Sequence, residues 1–262
     1  MKKFLPIFAA LLIALFAIAC GGGGEETAKK EMTEKPAEIA VPSGYEVMTV
    51  ANGGTISGTV TYAGALPKKV KIQKTKDTAV CGKTTHYKED LLVSGNKGLA
   101  NVVVRIMKIS KGKGMDSMGS EFVLDQNGCV FIPHVSIIPI GAKCTILNSD
   151  GILHNIHTFS EKNSPINIAQ PKFKKRITQS FSEAETFPIK CDVHNWMNGY
   201  IVVADHPYYA KTDENGSFEL GDVPAGTYTV GYWHETLGKQ SMEVTVGDGA
   251  SADGSLEYAA GS

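Results

Sequence analysis

Three potential metal ligands lie close together in the sequence, Cys191, His194 and Met197. The stretch that holds them follows a strand-like segment, TFPIK, and precedes another, GYIVV. A thiolate, an imidazole and a thioether presented by one short loop are donors that bind transition metals. The alternative is a buried cysteine, an exposed histidine and a core methionine that are neighbours by chance.

A second candidate histidine lies upstream, where a strand-like segment ends at Asn148 and a turn leads to His154. One thiolate and two imidazoles in a plane, with a weak thioether, are the donor set of mononuclear blue-copper electron-transfer sites. His157 differs from His154 by an odd number of positions, so the two point to opposite faces of a strand. We therefore expect only the turn-proximal His154 at the site.

The residues around these ligands resemble those of cupredoxins. The loop is similar to the amicyanin pattern C-x-x-H-x-x-M-x-G, here ending at Gly199, and NSDGILHN is similar to the plastocyanin-like pattern N-x-D-x-x-x-H-N. The resemblance covers residues 122–205 and implies that Asn155 braces the cysteine loop and that electrons leave through the edge of His194. It implies one mononuclear copper ion with four ligands: His154, Cys191, His194 and Met197.

Short alternating segments rich in Val, Ile, Thr and Tyr recur from residue 50 onward, without a convincing helical pattern of ten or more residues. The predicted fold class is therefore all-β. Two separated pieces, GGTISGTVTY to GLANVVVRI and TDENGSFELGDVPAGTYTV, resemble the halves of a carboxypeptidase-regulatory-like (prealbumin-like) β-sandwich. The sequence thus predicts a cupredoxin Greek-key sandwich and a second, discontinuous prealbumin-like sandwich.

The domain boundaries follow from these patterns. We predict a signal peptide at 1–20, a flexible tether at 21–52 and a cupredoxin domain at 112–205. The second sandwich is predicted at 53–111 and 206–250. The cupredoxin domain would then be an insertion into the second sandwich, as insertions are tolerated at loops.

The amino terminus has the features of an export signal. Two lysines precede the apolar run FLPIFAALLIALFAIA, which is shorter than the roughly 20 residues of a membrane-spanning helix. The sequence AIAC resembles a bacterial lipobox, which implies lipidation of Cys20. We expect an exported lipoprotein anchored to a bacterial membrane and facing the periplasm or the cell exterior. The whole architecture resembles exported proteins labelled methylamine-utilisation-like.

Export places the remaining cysteines in an oxidising compartment. If Cys191 binds metal, three cysteines remain for one disulfide and one free thiol. We pair Cys81 with Cys129, because both lie at loop-like ends of strand segments. Cys144 lies within an alternating strand pattern, where a buried thiol behaves as a small apolar residue.

The composition and motifs narrow the function. A net charge of −1 and a pI near 6.7 give no overall field for binding nucleic acid. With Met197 as axial ligand the copper lacks an open position for substrate, so we do not expect an enzyme. The sequence predicts single-electron transfer between redox partner proteins. The alternatives are a copper carrier or buffer, and an adhesion or scaffold module with a vestigial cupredoxin domain.

Overall fold

The structure, a computed structural model, describes residue 39 and residues 41–260. The predicted signal peptide, Cys20 and most of the predicted tether lie outside these residues. Among the described residues, no helix has the length and apolar content needed to cross a membrane. Apart from one turn of α-helix, α1 (Thr78–Cys81), and one 3₁₀ turn (Met115–Met118), the regular structure described is strand. The predicted all-β class is confirmed.

Four strands precede the central region of the chain. They are β1 (Glu46–Val47), β2 (Gly54–Tyr62), β3 (Val103–Ile106) and β4 (Lys111–Gly112). β1 pairs in parallel with β4, and the buried Tyr45 donates its hydroxyl to the carbonyl of Lys113 at 2.7 Å. The prediction of a flexible tether as far as residue 52 is therefore wrong at its end, because this aromatic side chain and the strand pairing fix the chain from Tyr45 onward.

Nine strands form a central sandwich of two sheets. They are β5 (Phe122–Gln126), β6 (Phe131–Ile132), β7 (Val135–Pro139), β8 (Cys144–Asn148), β9 (His154–Thr158), β10 (Asn167–Gln170), β11 (Arg176–Gln179), β12 (Glu185–Lys190) and β13 (Asn198–Ala204). The strand orders are β10-β9-β12-β13-β7 and β11-β8-β5-β6. His154 begins β9, and the loop from Cys191 to Met197 joins β12 to β13, so the candidate ligands meet at one end of the first sheet.

Alternation along the strands decides which side chains enter this sandwich. In β8, Cys144, Ile146 and Asn148 are buried and the residues between them are only partly buried. Full burial of an isoleucine side chain such as that of Ile146 stabilises the fold by roughly 1.5–3 kcal/mol. The apolar cluster between the sheets includes Leu124, Phe131, Ile146, Phe187, Ile189 and Ile201, together with Cys191 and Met197. Both sulfur-bearing side chains of the loop therefore face the core.

Six strands follow the central sandwich. They are β14 (Tyr209–Lys211), β15 (Ser217–Val223), β16 (Gly226–His234), β17 (Gly238–Val246), β18 (Ser251–Asp253) and β19 (Leu256–Tyr258). They share sheets with the early strands, in the orders β14-β3-β16-β17 and β15-β2-β18, and β19 also pairs with β2. Chain segments before and after the central sandwich thus lie in common sheets. The predicted end at residue 250 is too early, because β18 and β19 extend this pairing.

Part of the segment between β2 and β3 leaves these outer sheets, although its last residues, including Leu99 and Val102, pack in their core. KVKIQKT, predicted as a strand, contributes an isolated bridge between Lys71 and Tyr87. Cys81, at the end of α1, is fully buried in the central cluster and forms a disulfide with Cys129. The assignment of all of 53–111 to the second sandwich is therefore wrong for α1, because burial and the disulfide attach it to the central sandwich.

Candidate metal centre

Three side-chain donors converge at one end of the central sandwich. The Cys191 Sγ lies 3.8 Å from His154 Nδ1 and 3.9 Å from His194 Nδ1, and the two nitrogens are 2.9 Å apart. A triangle with these sides has its centre about 2.1 Å from each corner, within the range of metal–nitrogen and metal–sulfur bonds of roughly 2.0 to 2.3 Å. The side chains of His154 and His194 are fully buried, and Cys191 is 2% exposed. The three donor atoms are therefore held at separations that would allow one metal ion to bind all of them. We call their plane the donor plane.

The protonation pattern of the two imidazoles fits a bound cation. Nε2 of His154 lies 2.9 Å from Asp150 Oδ2, and Nε2 of His194 lies 2.8 Å from Asp77 Oδ2. A carboxylate accepts a proton from each ring, which assigns the lone pair of each imidazole to Nδ1. Two lone pairs 2.9 Å apart repel each other unless a cation, either a proton or a metal ion, lies between them. One thiolate and two imidazoles suit copper, whereas structural zinc takes a fourth nitrogen, oxygen or thiolate ligand.

Hydrogen bonds within the loop that carries Cys191 hold its two ends together. The backbone N–H of Cys191 donates to the carbonyl of Met197 at 3.2 Å, and the Met197 N–H donates to the carbonyl of His194 at 2.9 Å. A side chain at Gly199 would bring its Cβ to 2.7 Å from the carbonyl oxygen of His134. This close approach of β13 to β7 explains the glycine that ends the loop motif.

Met197 is 1% exposed and packs in the same apolar cluster as Cys191. Its backbone N–H and carbonyl both make hydrogen bonds that close the loop. Its role as an axial ligand stays a prediction.

Asn155 directly follows His154 and contacts the loop that holds Cys191 and His194. Its Oδ1 accepts the backbone N–H of Asp192 at 2.7 Å, and its Nδ2 donates to Asp192 Oδ2 at 2.9 Å. The contact spans β9 and the residue directly after Cys191. The structure thus places Asn155 where a residue that braces the cysteine loop must lie.

Asp150 is fixed by the turn that leads to His154. Its two carboxylate oxygens accept the N–H groups of Gly128 at 2.7 Å and Cys129 at 2.8 Å. The turn is held by Asn148, whose Nδ2 donates to the carbonyls of Ile152 and Gln170. Asn148 and Asp150 in the sequence motif are therefore supports of the ligand rather than ligands.

Electrostatics favour a thiolate facing a cation. Burial raises the pKa of Cys191, but hydrogen bonds from His154 and from backbone N–H groups outweigh it, so its pKa lies below the usual value. Burial lowers the pKa of His154, but Asp150 and the cysteine sulfur outweigh it and bring the pKa to about 8. By contrast, burial alone raises the pKa of Cys144 to about 12. Of the two buried free thiols in the described chain, only Cys191 is activated.

The side chains of His157 and Trp196 both contact residues of the loop that begins at Cys191. The side chain of His157 is 30% exposed and contacts the carboxylate of Asp192 at 3.1 Å, away from the donor plane. The Trp196 ring packs on His194 with centroids 5.1 Å apart and donates its indole N–H to the carbonyl of Cys129. Trp196 also lines a cavity of about 520 Å³.

The expectation that electrons leave through the edge of His194 stays a prediction, but that edge is covered in the described structure. The ring is fully buried, and the carboxylate of Asp77 occupies its outer nitrogen. Sequence reasoning missed Asp77 because it is separated from His194 by 117 positions. The signal that pointed toward it was the pairing of Cys81 with Cys129, which brings α1 to the centre.

Several solved structures are similar to part of this chain. Among solved structures, the chain is similar to an oxidized mutant of amicyanin, at 22% identity over 32% of this chain and 82% of that chain, with a TM-score of 0.30. It is also similar to a purple cupredoxin from Nitrosopumilus maritimus, at 21% identity over 32% of this chain and 100% of that chain, with a TM-score of 0.28. The likeness is to cupredoxins.

A third structure is a Cu-containing nitrite reductase from Thermus scotoductus SA-01, at 22% identity over 32% of this chain and 22% of that chain, with a TM-score of 0.28. Residues 177–253 match the family described as polysaccharide lyase family 4, domain II, which is less than half of the chain. No curated protein matches the sequence. These likenesses assign no function to the chain.

Proposed function

We propose that this chain binds one copper ion in a mononuclear type 1 centre and carries single electrons between redox partner proteins. The observation that supports the proposal is the buried triangle of Cys191 Sγ and the Nδ1 atoms of His154 and His194. These three residues would hold the ion in a plane, and Met197 would supply a weak thioether. Copper in such a centre supplies a one-electron couple.

The protein's contribution is to keep the donors in place and ready. Hydrogen bonds lower the pKa of Cys191, which favours the thiolate, the form that binds metal. Asp150 and Asp77 hold the two imidazoles by their outer nitrogens. Because the donors are fixed and shielded from water, the centre would rearrange little when the ion changes oxidation state, which favours fast electron transfer.

Burial of the donors favours a retained cofactor over an exchangeable cargo. The two histidine side chains are fully buried, and Cys191 is 2% exposed, so a chelator has no direct approach to the plane. We therefore prefer electron transfer to a copper carrier or buffer. No catalytic step and no nucleic-acid partner is proposed.

The experiment is a redox cycle in the presence of a competing copper chelator. The protein is loaded with one equivalent of copper, reduced and reoxidised several times, and the chelator-bound copper is measured after each cycle. Electron transfer predicts one electron per protein per half-cycle and copper that stays with the protein. Loss of most of the copper to the chelator within one reduced phase would contradict electron transfer and favour a carrier.

We further propose that a lipid on Cys20 anchors the protein to a bacterial membrane, facing the periplasm or the cell exterior. The support is the sequence AIAC after a short apolar run. In this arrangement the residues before Tyr45 would let the folded part reach partner proteins near the membrane. Cys20→Ser should move the protein from the membrane fraction to the soluble or uncleaved precursor fraction, and unchanged membrane retention of a fully processed chain would contradict the anchor.

A further inference from the structure

The outer edge of His194 is closed by a residue from a distant part of the chain. Asp77 Oδ2 lies 2.8 Å from His194 Nε2, the histidine side chain is fully buried, and the Asp77 side chain is 41% exposed. We propose that Asp77 is a positioning residue for His194. By accepting the Nε2 proton, it turns Nδ1 toward the donor plane and shields the ring from solvent. The assignment of His194 as a ligand rests on the proposed function, whereas the contact between Asp77 and His194 does not.

A helix-capping role does not explain Asp77. It stands at the N-cap of α1 with φ 49°, and its side chain makes no capping hydrogen bond to that helix. An aspartate at this position usually accepts an N–H from its own first turn. Here the carboxylate instead turns away from α1 to a buried imidazole, so the contact with His194 is the one that accounts for its orientation.

A disulfide holds Asp77 in place. The backbone N–H groups of Val80 and Cys81 both donate to the carbonyl of Asp77 at 2.9 Å, so the aspartate and the cysteine share one closed turn. Cys81 is bonded to Cys129, and both are fully buried. The disulfide thereby attaches the turn that carries Asp77 to the central sandwich, close to His194.

Cys129 also contacts the supports of both imidazoles. Its N–H donates to Asp150 Oδ2 at 2.8 Å, and Asp150 holds His154. Its carbonyl accepts the indole N–H of Trp196 at 3.0 Å, and that ring packs on His194. Cys129 is therefore linked to both carboxylates that contact the histidines. It contacts Asp150 by a hydrogen bond, and its disulfide with Cys81 holds the turn that carries Asp77.

The test is chemical labelling of histidines in the metal-free protein with diethyl pyrocarbonate, mapped by mass spectrometry. Asp77→Gly is the informative variant, because glycine accepts φ 49° without strain and removes only the carboxylate. Thr78→Ala, an exposed change in the same turn, is the matched control. His157, which is partly exposed, gives the rate of an accessible ring, and the buried His154 reports that each variant is folded.

The proposal predicts slow labelling of His194 in the wild type and in Thr78→Ala. In Asp77→Gly the rate at His194 should rise about tenfold or more, the factor expected for loss of one hydrogen bond to a charged group, while His154 stays protected. Asp77→Asn should restore protection, because its amide oxygen accepts the same proton. In a double variant, Cys81→Ala with Cys129→Ala, His194 should be labelled at the same increased rate as in Asp77→Gly.

Equal slow labelling of His194 in Asp77→Gly and in the wild type would overturn the proposal, as would wild-type labelling as fast as that of His157. Because no metal is present, a chain that binds no copper would still give a clear result. Failure of the proposed function is thereby separated from failure of this inference.

Discussion

The side-chain oxygen of Asn155 accepts the backbone N–H of Asp192 at 2.7 Å. This hydrogen bond joins the strand that begins with His154 to the loop that begins with Cys191. Asn155 is 5% exposed, so water cannot easily replace it. Together with the pairing of β9 and β12, this buried amide fixes the spacing between His154 and the loop of Cys191 and His194.

Asn155→Ala should destabilise the metal-free protein. The change leaves the N–H of Asp192 without its acceptor, which costs about 1–3 kcal/mol in the free energy of unfolding. Urea denaturation measures the effect. Asn195→Ala, an exposed change in the same loop, is expected to stay within about 0.5 kcal/mol of the wild type. Equal stability of the two variants would show that the amide does not brace the loop.

Met197→Leu should leave the fold intact but change the redox behaviour. The substitution conserves volume and apolar character, so we expect a loss below about 1.5 kcal/mol in the metal-free protein. Copper should still bind to the three in-plane donors. The reduction potential should rise, because the axial ligand tunes it and a weak donor to Cu(II) is removed. Voltammetry checks this, and an unchanged potential would exclude the thioether as a ligand.

Thr212 joins the chain segment that follows the central sandwich in the sequence to the segment that precedes it. Its buried hydroxyl donates to the carbonyl of Leu99 at 2.7 Å and accepts the N–H of Val102 at 2.9 Å. Thr212→Val leaves both backbone groups without a partner, and we expect a loss of about 1–3 kcal/mol in the free energy of unfolding. Thr212→Ser keeps the hydroxyl and should lose less. If valine and serine behave alike in thermal unfolding, this connection does not stabilise the outer sheets.

His234 should make the metal-free protein less stable in mild acid. Burial lowers its pKa to about 4, and its Nδ1 accepts the N–H groups of Thr236 and Leu237. An unfolded histidine takes up a proton near pH 6.5, so the unfolded state binds more protons between pH 6.5 and 4. Stability therefore falls as the pH decreases through this window, by about 3 kcal/mol at pH 4.

The contribution of His234 is isolated by difference. His234→Asn keeps an acceptor but does not titrate, so its unfolding free energy should depend less on pH between 6.5 and 4. Denaturation of both proteins across this range measures the change. Parallel pH profiles would mean that another group causes the acid sensitivity.

The donor set was largely predictable from the sequence because most of it is local. Cys191 and His194 lie on one loop between two strands, where spacing alone brings the side chains together. The period of two along a strand separated His154 from His157, and the burial of the two rings agrees with that choice. Loop spacing predicts that Cys191 and His194 lie together, whereas the contact of His154 with Cys191, 37 positions away, was implied by the resemblance to cupredoxins.

Asp77 and the fate of its segment could not be predicted in the same way. The segment before α1 has the composition of a strand, but strand formation needs a partner, and KVKIQKT finds only an isolated bridge. The position of α1 depends on its disulfide with Cys129 and on burial of Cys81 in a distant core. The ordered start of the chain at Tyr45 was missed for the same reason, because its hydroxyl contacts Lys113, 68 positions away.

The most direct test is an optical and EPR titration of the metal-free protein with Cu(II), alongside Cys191→Ala and Cys144→Ala. Both cysteines are buried free thiols, so the pair of variants separates the donor plane from the core. We predict an intense blue thiolate-to-copper band with narrow hyperfine splitting at one copper per chain, kept in Cys144→Ala and lost in Cys191→Ala. A colourless or weakly absorbing wild-type complex, or a band that survives in Cys191→Ala, would contradict a type 1 copper centre.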